Sequence, residues 1–162
     1  TSPFPYDGIF RRAVLNFKFH NCGAYAELLS HEMVRSIKDV YRDRKFDLVT
    51  CVPMHKDTLR ERGYNQAELL AKECARLLGI EYANLLAKTK KNKTQHSIKA
   101  AERVKNVIGV YSPIENLIKG KRILIIDDII TTGSTLGECA RILNKCKCGE
   151  ICCCTLCTSL LI

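Results

Sequence analysis

"ILIIDDIITTGST", Ile123 to Thr135, runs a continuous apolar segment into two adjacent aspartates and then into hydroxyls around one glycine. Arg122 to Ile126 reads as a strand buried on both faces. Thr131-Thr-Gly-Ser-Thr135 reads as the connection into a helix over Ser134 to Asn144. Strand, short loop and helix are the repeating unit of a parallel α/β sheet, and ligands of such sheets sit at the carboxyl ends of the strands. Asp127 and Asp128 are expected at that end. Backbone N–H groups at a tight turn and helix start favour an anion, and Gly133 lets the backbone approach it closely. The hydroxyls of Thr131, Thr132, Ser134 and Thr135 add donors, so the turn suits a phosphate monoester. Carboxylates would repel that phosphate unless they face another part of the same ligand. A vicinal diol donates two charge-assisted hydrogen bonds to a carboxylate, so a ribose phosphate satisfies both halves of the run. A strand end followed by a helix cap explains one Asp or one Thr, not the whole run. The competing phosphate motifs, GxxxxGK[ST] and GxGxxG, are absent from the sequence.

Outward from this stretch the pattern repeats. Ala24 to Asp43 has helical periodicity, with Leu28, Leu29, Met33, Ile37 and Val40 predicted on one face. Phe46 to Val52 reads as a buried strand stopped by Pro53. Tyr64 to Leu78 reads as a helix with Leu69, Leu70, Cys74 and Leu77 inward and Gly79 ending it. Tyr82 to Ala87 and Val107 to Tyr111 are candidate short strands, and Ile151 to Cys157 a last one. The Lys88 to Asn106 segment is basic and poor in large apolar residues, and reads as a mobile loop with a helical turn near Ser97 to Lys105. The fold class expected is α/β, a parallel twisted sheet flanked by helices.

The bulk composition is compatible with this. The 162 residues suffice for one domain with its own core, and 46% apolar with 27% charged residues is ordinary for a globular protein. No apolar run approaches the roughly 20 residues that cross a bilayer, so no membrane insertion is expected. The opening TSPFPYDG has no signal-peptide pattern and no initiator Met, which suits a cytoplasmic chain or a fragment of one. The net charge of +9 favours anionic partners: phosphorylated metabolites, nucleic acid or acidic surfaces. Six of the ten cysteines lie between Cys146 and Cys157. Cys154-Thr-Leu-Cys157 is a CxxC, but no second CxxC follows, and neighbouring strand residues point to opposite faces. Reduced cysteines packing as small apolar residues of a buried strand are the expectation. His31-Glu32-Met33-Val34-Arg35 lacks the second His of HExxH.

Ile123 to Thr135 resembles the phosphoribosyl pyrophosphate (PRPP) signature of type I phosphoribosyltransferases at every position. Three further stretches resemble the ComF family, associated with bacterial competence and DNA uptake. They are YDGIFRRAVLNFKFHNCGAYAELL (Tyr6 to Leu29), VPMHKDTLRERGYNQAELLAKECARLLG (Val52 to Gly79) and TQHSIKAAERVKNVIGVY (Thr94 to Tyr111). The resemblance implies one phosphoribosyltransferase-like domain over 1–162, with a hood over about 1–45 and a PRPP-binding core over about 46–162. By resemblance, Asp127 and Asp128 hold the ribose hydroxyls, and Thr131, Thr132, Gly133, Ser134 and Thr135 hold the ribose phosphate. Pro53, Met54, His55 and Lys56 form the pyrophosphate loop. Lys56, Arg60 and Arg62 are placed to counter the pyrophosphate charge, although Arg60 and Arg62 would equally cover a helix end. Magnesium is the implied cofactor, bound through the ligand's oxygens and not directly by protein side chains.

The resemblance further implies transfer of the ribose anomeric carbon from pyrophosphate to a nitrogen nucleophile, with Lys90, Gln95 and Arg103 of the closing loop as catalytic residues. Arg103 and Asn106 would equally form an i, i+3 surface pair. Family members often carry an N-terminal zinc ribbon, which this stretch of chain does not contain, and commonly Arg at the positions of Lys88 and Lys90. Three readings follow: a PRPP-binding competence-family protein assisting uptake of single-stranded DNA, a salvage or biosynthetic transferase, and a PRPP sensor without catalysis. The partners expected are PRPP, single-stranded DNA, proteins of the competence machinery and a second copy of the chain in a homodimer. DNA contact is expected around Arg11, Arg12, Lys56, Arg60, Arg62 and Lys88 to Lys93.

Overall fold

The computed structural model describes residues 1–19, 24–90, 107–114 and 118–160. Gln95, Arg103, Asn106 and the turn near Ser97 to Lys105 lie outside the described residues. In chain order the elements are β1 (Phe4–Pro5), α1 (Gly8–Phe19), α2 (Ala24–Val40), β2 (Leu48–Cys51), α3 (Lys56–Arg62), α4 (Gln66–Leu78), β3 (Glu81–Tyr82), β4 (Leu86–Lys88), β5 (Tyr111–Pro113), β6 (Arg122–Ile130), α5 (Ser134–Lys145) and β7 (Glu150–Thr158).

Five strands form one sheet in the order β1-β7-β6-β2-β3, and every pairing in it is parallel. Its central strands are apolar on both sides because both sides are covered. Val49, Leu124, Ile126, Cys152, Cys154 and Leu156 face one core, with Val14 and Phe17 of α1, Met33 and Ile37 of α2, and Leu70 and Cys74 of α4. Leu48, Ile123 and Ile125 face the other, with Cys139, Ile142 and Leu143 of α5 and the β4–β5 ribbon. The cysteines of β7 therefore alternate between two apolar layers. Among the described residues, no group of three or more His, Cys, Asp or Glu is placed to hold a metal ion. No described helix is long and apolar enough to cross a membrane.

Several elements differ from the sequence reading. On α2, Leu28 and Val40 are exposed, and the buried stripe is Ala26, Ser30, Met33, Val34 and Ile37. Met33 and Ile37 are buried as expected, and Ala26 and Ser30 join them where α2 packs on α4, with the Ser30 hydroxyl donating to the Leu70 carbonyl at 3.4 Å. Tyr82 to Ala87 is divided between β3, which ends the large sheet, and β4, which pairs antiparallel with β5 outside it. Residues 107–110 form a turn ahead of β5. Periodicity did not reveal β1, α1 or α3. The first is two residues long, and α3 is seven residues with none buried.

Candidate functional site

The site lies where β2 leaves β6. Pairing between them runs from Leu48↔Ile123 to Cys51↔Ile126, and the Val52 amide still donates to the Ile126 carbonyl at 3.0 Å. Pro53 has no N–H to continue the ladder, so the chain turns away. On its other side β6 stays paired with β7 as far as Ile130↔Thr158. Asp127 and Asp128 are therefore not at the end of their own strand, as expected from sequence. They are inside β6, uncovered on one edge because β2 has stopped. This gap at a strand carboxyl end is where open α/β sheets bind ligands.

The pleat then separates the two carboxylates. Leu124 and Ile126 face the α1/α2/α4 core while Ile123 and Ile125 face the α5 core. By the same alternation Asp128 turns towards α1, where Lys18 Nζ lies 2.9 Å from its Oδ2. Asp127 turns towards α5 and the ribbon, within electrostatic reach of Lys88, Tyr111 and Cys139. Burial holds the Asp127 carboxyl well above the usual carboxylate range, and the neighbouring Asp128 charge pushes the same way. A hydrogen bond from the Asp128 amide at 2.9 Å and the Lys18 charge act against this shift. Burial lowers the Lys88 ammonium, and the Asp127 charge partly offsets that.

The RGYNQ segment builds the wall. Asn65 caps α4, its side chain accepting from the Ala67 amide at 3.1 Å, while its Nδ2 donates to the Val52 carbonyl at 3.1 Å. One residue thus ties the helix start to the end of β2. The Tyr64 hydroxyl donates to the Phe17 carbonyl, which fixes α1 and with it Lys18. Arg62 Nη1 donates to Gln66 Oε1 at 2.8 Å, whereas Gln66 Nε2 is buried without a hydrogen-bond partner among the described residues. A buried amide left with a free donor is costly unless a ligand satisfies it.

A cleft of about 240 Å³ gathers Pro53, Met54, His55, Asp127, Asp128 and Thr135 with Lys18, Arg62, Gln66, Lys88 and Tyr111. A smaller hollow of about 30 Å³ adjoins it, sharing Asp127 and Thr135 and lined by Thr131, Thr132, Gly133 and Ser134. Gly133 has φ 74°, a left-handed conformation that aims the turn into α5 and that a side chain would oppose. The Thr132 and Ser134 hydroxyls lie 2.7 Å apart, bonded to each other. His55 caps α3, its Nδ1 accepting from the Asp57 amide at 3.3 Å. Lys56, Arg60 and Lys90 are exposed and outside both hollows. Lys18, Gln66 and Asn65 were missed as site residues. The RGYNQ motif contained the last two, but no sequence signal joins Lys18 to Asp128.

Asp127 and Asp128 give the cleft hard oxygen donors of the kind magnesium prefers, and Lys18 already neutralises one of them. With Lys18 and Lys88 beside them, the cleft suits an anionic, oxygen-rich ligand, whose own oxygens would hold magnesium.

Comparisons with known proteins give the chain's relatives. Competence protein F of Haemophilus influenzae is 31% identical over 144 residues, covering 85% of this chain and 63% of the relative. Competence protein ComFC of Bacillus subtilis is 31% identical over 151 residues, 93% of this chain and 60% of the relative. DNA utilization protein YhgH of Escherichia coli is 31% identical over 100 residues, 61% of this chain and 44% of the relative. The chain thus spans about three-fifths of the first two relatives and under half of the third. Among solved structures, purine phosphoribosyltransferase from Pyrococcus horikoshii superposes with a TM-score of 0.52 at 20% identity, over 81% of this chain and 74% of that one. Glutamine PRPP amidotransferase from Bacillus subtilis gives 0.52 at 22% identity, over 79% and 25%. At those identities the likeness is one of fold. The model of the phosphoribosyl transferase domain matches residues 65–160, from the Asn65 cap through the aspartates and the hydroxyl turn to the end of β7, and the chain belongs to that family.

Proposed function

We propose that this chain binds magnesium PRPP in the cleft between β2 and β6, as a phosphoribosyltransferase-like protein of the ComF competence family acting in the cytoplasm in support of DNA uptake. One observation carries the reading. A carboxylate pair and a hydroxyl-rich turn entering a helix N-terminus open onto adjoining hollows at the point where β2 ends. That juxtaposition suits a ribose diol beside a ribose phosphate. The names of the relatives, competence and DNA utilization proteins, favour the biological setting.

In this reading Asp127 and Asp128 accept from the ribose hydroxyls, one from each face of the sheet. The Thr131 to Thr135 turn donates to the ribose phosphate. Pro53, Met54 and His55 flank the pyrophosphate, and Nε2 of Gln66 donates to a ligand oxygen in the cleft. Lys18, Arg62 and Lys88 line the cleft and supply positive charge. Magnesium, when bound with the ligand, offsets charge that accumulates on the pyrophosphate oxygens. In the transfer step, the bond from the anomeric carbon to pyrophosphate breaks and its electron pair leaves with the pyrophosphate. A nitrogen lone pair of the acceptor forms the new bond, and the acceptor's proton passes to solvent. Lys90, Gln95 and Arg103 are proposed to approach from the segment beyond β4.

Calorimetry with magnesium PRPP tests the assignment. The Asp127→Asn/Asp128→Asn variant is expected to bind about tenfold to a hundredfold more weakly, from roughly 1.5–3 kcal/mol per lost charged hydrogen bond. Unchanged affinity would remove the ribose-diol role. A screen for pyrophosphate release across nucleobases and amines separates a transferase from a protein that only binds PRPP.

A further inference from the structure

The start of α4 opens onto the cleft beside the end of β2, with Asn65, Gln66 and Ala67 in its lining. A helix start favours a negative group. A second feature here points the same way. Gln66, the first residue of α4, is 1% exposed, and its Nε2 is the one buried side-chain nitrogen or oxygen without a hydrogen-bond partner among the described residues. Arg62 fixes which end of the carboxamide is left over. A guanidinium only donates, so the atom that meets Arg62 Nη1 at 2.8 Å is Oε1 and the remaining end is the NH2. That end can only donate, and the partner it lacks is an acceptor.

The neighbouring carboxylates do not fill that role. Glu68, in the first turn of α4, lies 2.7 Å from Lys72, and Asp57 of α3 lies towards His55; neither lines the cleft. Asp128 is held by Lys18 at 2.9 Å, and the pleat turns Asp127 to the other face of the sheet.

The two helix starts that favour an anion stand on opposite faces of the sheet. Helix α4 packs in one core with α1 and α2, and α5 in the other with the β4–β5 ribbon. The aspartates lie between them, one turned to each face. A ligand that engages both helix starts carries an anionic group at each end and hydroxyls between. A ribose with a single phosphate satisfies the α5 turn and the aspartates but leaves Gln66 Nε2 without an acceptor. The leftover donor therefore separates PRPP from ribose 5-phosphate. We propose that Gln66, oriented by Arg62, is the residue by which the cleft selects the pyrophosphate arm of its ligand. This inference rests on the PRPP reading of the cleft. Gln66 is the binding residue and Arg62 the positioning one. An unpaired buried amide destabilises the unliganded chain and is relieved when a pyrophosphate oxygen accepts from it. Such a residue lowers stability without ligand and raises affinity with it, the reverse of a residue kept for packing.

Gln66→Met keeps the length and bulk of the side chain and removes the amide. Titration calorimetry of the full chain compares magnesium PRPP, magnesium pyrophosphate and ribose 5-phosphate, and scanning calorimetry without ligand reads stability. The variant is expected to bind magnesium PRPP and magnesium pyrophosphate roughly tenfold more weakly, from the loss of one hydrogen bond to a charged group, and ribose 5-phosphate within about twofold of the parent. Without ligand it is expected to melt about 2–4 °C higher, because the unpaired donor is gone while solvent replaces Oε1 at the partly exposed Arg62. Gln66→Glu keeps an acceptor for Arg62 but offers the ligand a negative charge in place of a donor, and is expected to weaken PRPP binding more than Gln66→Met does. Wild-type PRPP affinity in Gln66→Met would overturn the assignment and leave the PRPP reading standing. Equal losses for PRPP and ribose 5-phosphate would overturn it by placing Gln66 at the ribose end. A lower melting temperature would overturn it by making Gln66 a packing residue of the cleft wall. No binding of PRPP by the wild-type chain would overturn the PRPP reading and this inference with it.

Discussion

Lys18 of α1 reaches 2.9 Å from the Asp128 carboxylate of β6, linking the first helix of the chain to the second of the two adjacent aspartates. The link is built by packing. Tyr64, next to the α4 cap, holds the Phe17 carbonyl, and Phe17 is fully buried under α1. Lys18 is therefore held over the cleft before any ligand arrives, and the Asp128 charge is compensated in the folded chain.

Lys18→Met should destabilise the fold by about 1–2 kcal/mol near neutral pH, because a partly buried carboxylate loses its partner. In an Asp128→Asn background the same change should cost much less. Urea unfolding of the two single variants and the double variant measures the coupling. Equal losses in both backgrounds would mean that the pair contributes nothing to stability.

Asp127 gives a prediction of opposite sign. Its folded carboxyl is held well above the ordinary value of 3.8. Below that ordinary value the folded and unfolded chains both carry the proton, and the residue has no net effect on stability. Between that value and the raised folded one, the unfolded chain ionises while the native state keeps the proton, so stability falls as pH rises and the loss is complete above the folded value. Asp127→Asn should therefore raise the melting temperature at pH 8 by about 2–4 °C, equivalent to about 1 kcal/mol, and hardly at all at pH 4. The gain should come with weaker PRPP binding. Scanning calorimetry showing the same gain at both pH values would contradict burial as the cause.

Glu138 behaves as a tie between α5 and the turn that precedes β5. It accepts from Arg141 Nε at 2.6 Å and from the Gly109 amide at 2.9 Å. The Arg141 bond is the main reason its carboxyl is held down to about 2, against an ordinary 4.5. Its stabilisation is present above the ordinary value and lost as pH falls towards 2. Glu138→Gln should cost about 1 kcal/mol at pH 7, with the difference from the parent shrinking between pH 5 and pH 3. A cost that stays constant across that range in urea titrations would assign it to packing instead.

The thiols should divide by burial. Cys146 and Cys148, in the connection from α5 to β7, are half-buried and should react first with a disulfide reagent at pH 8. Burial pushes the Cys51 and Cys74 thiols up to about 12, and Cys154 is raised as well. These should react only on unfolding. Elemental analysis is expected to find no zinc; one zinc per chain, lost in Cys154→Ser/Cys157→Ser, would overturn the apolar reading of this strand.

The sequence alone determined the α/β class, because Ile123 to Ile126 and Ile151 to Cys154 are apolar at successive positions, as strands of a sheet covered on both faces are, and they alternate with helical patterns. It also gathered the candidate chemistry into one stretch. Two acids followed by four hydroxyls and a glycine are local in the chain, and their chemical meaning survives without coordinates. Tertiary structure alone decided how those groups are presented. Asp127 and Asp128 are adjacent in sequence yet oppositely directed, since the pleat alternates faces. Their access to the cleft depends on where β2 stops, a property of a partner strand. Lys18 and Gln66 belong to the site through packing of α1 and α4 on the sheet, contacts between residues far apart in the chain.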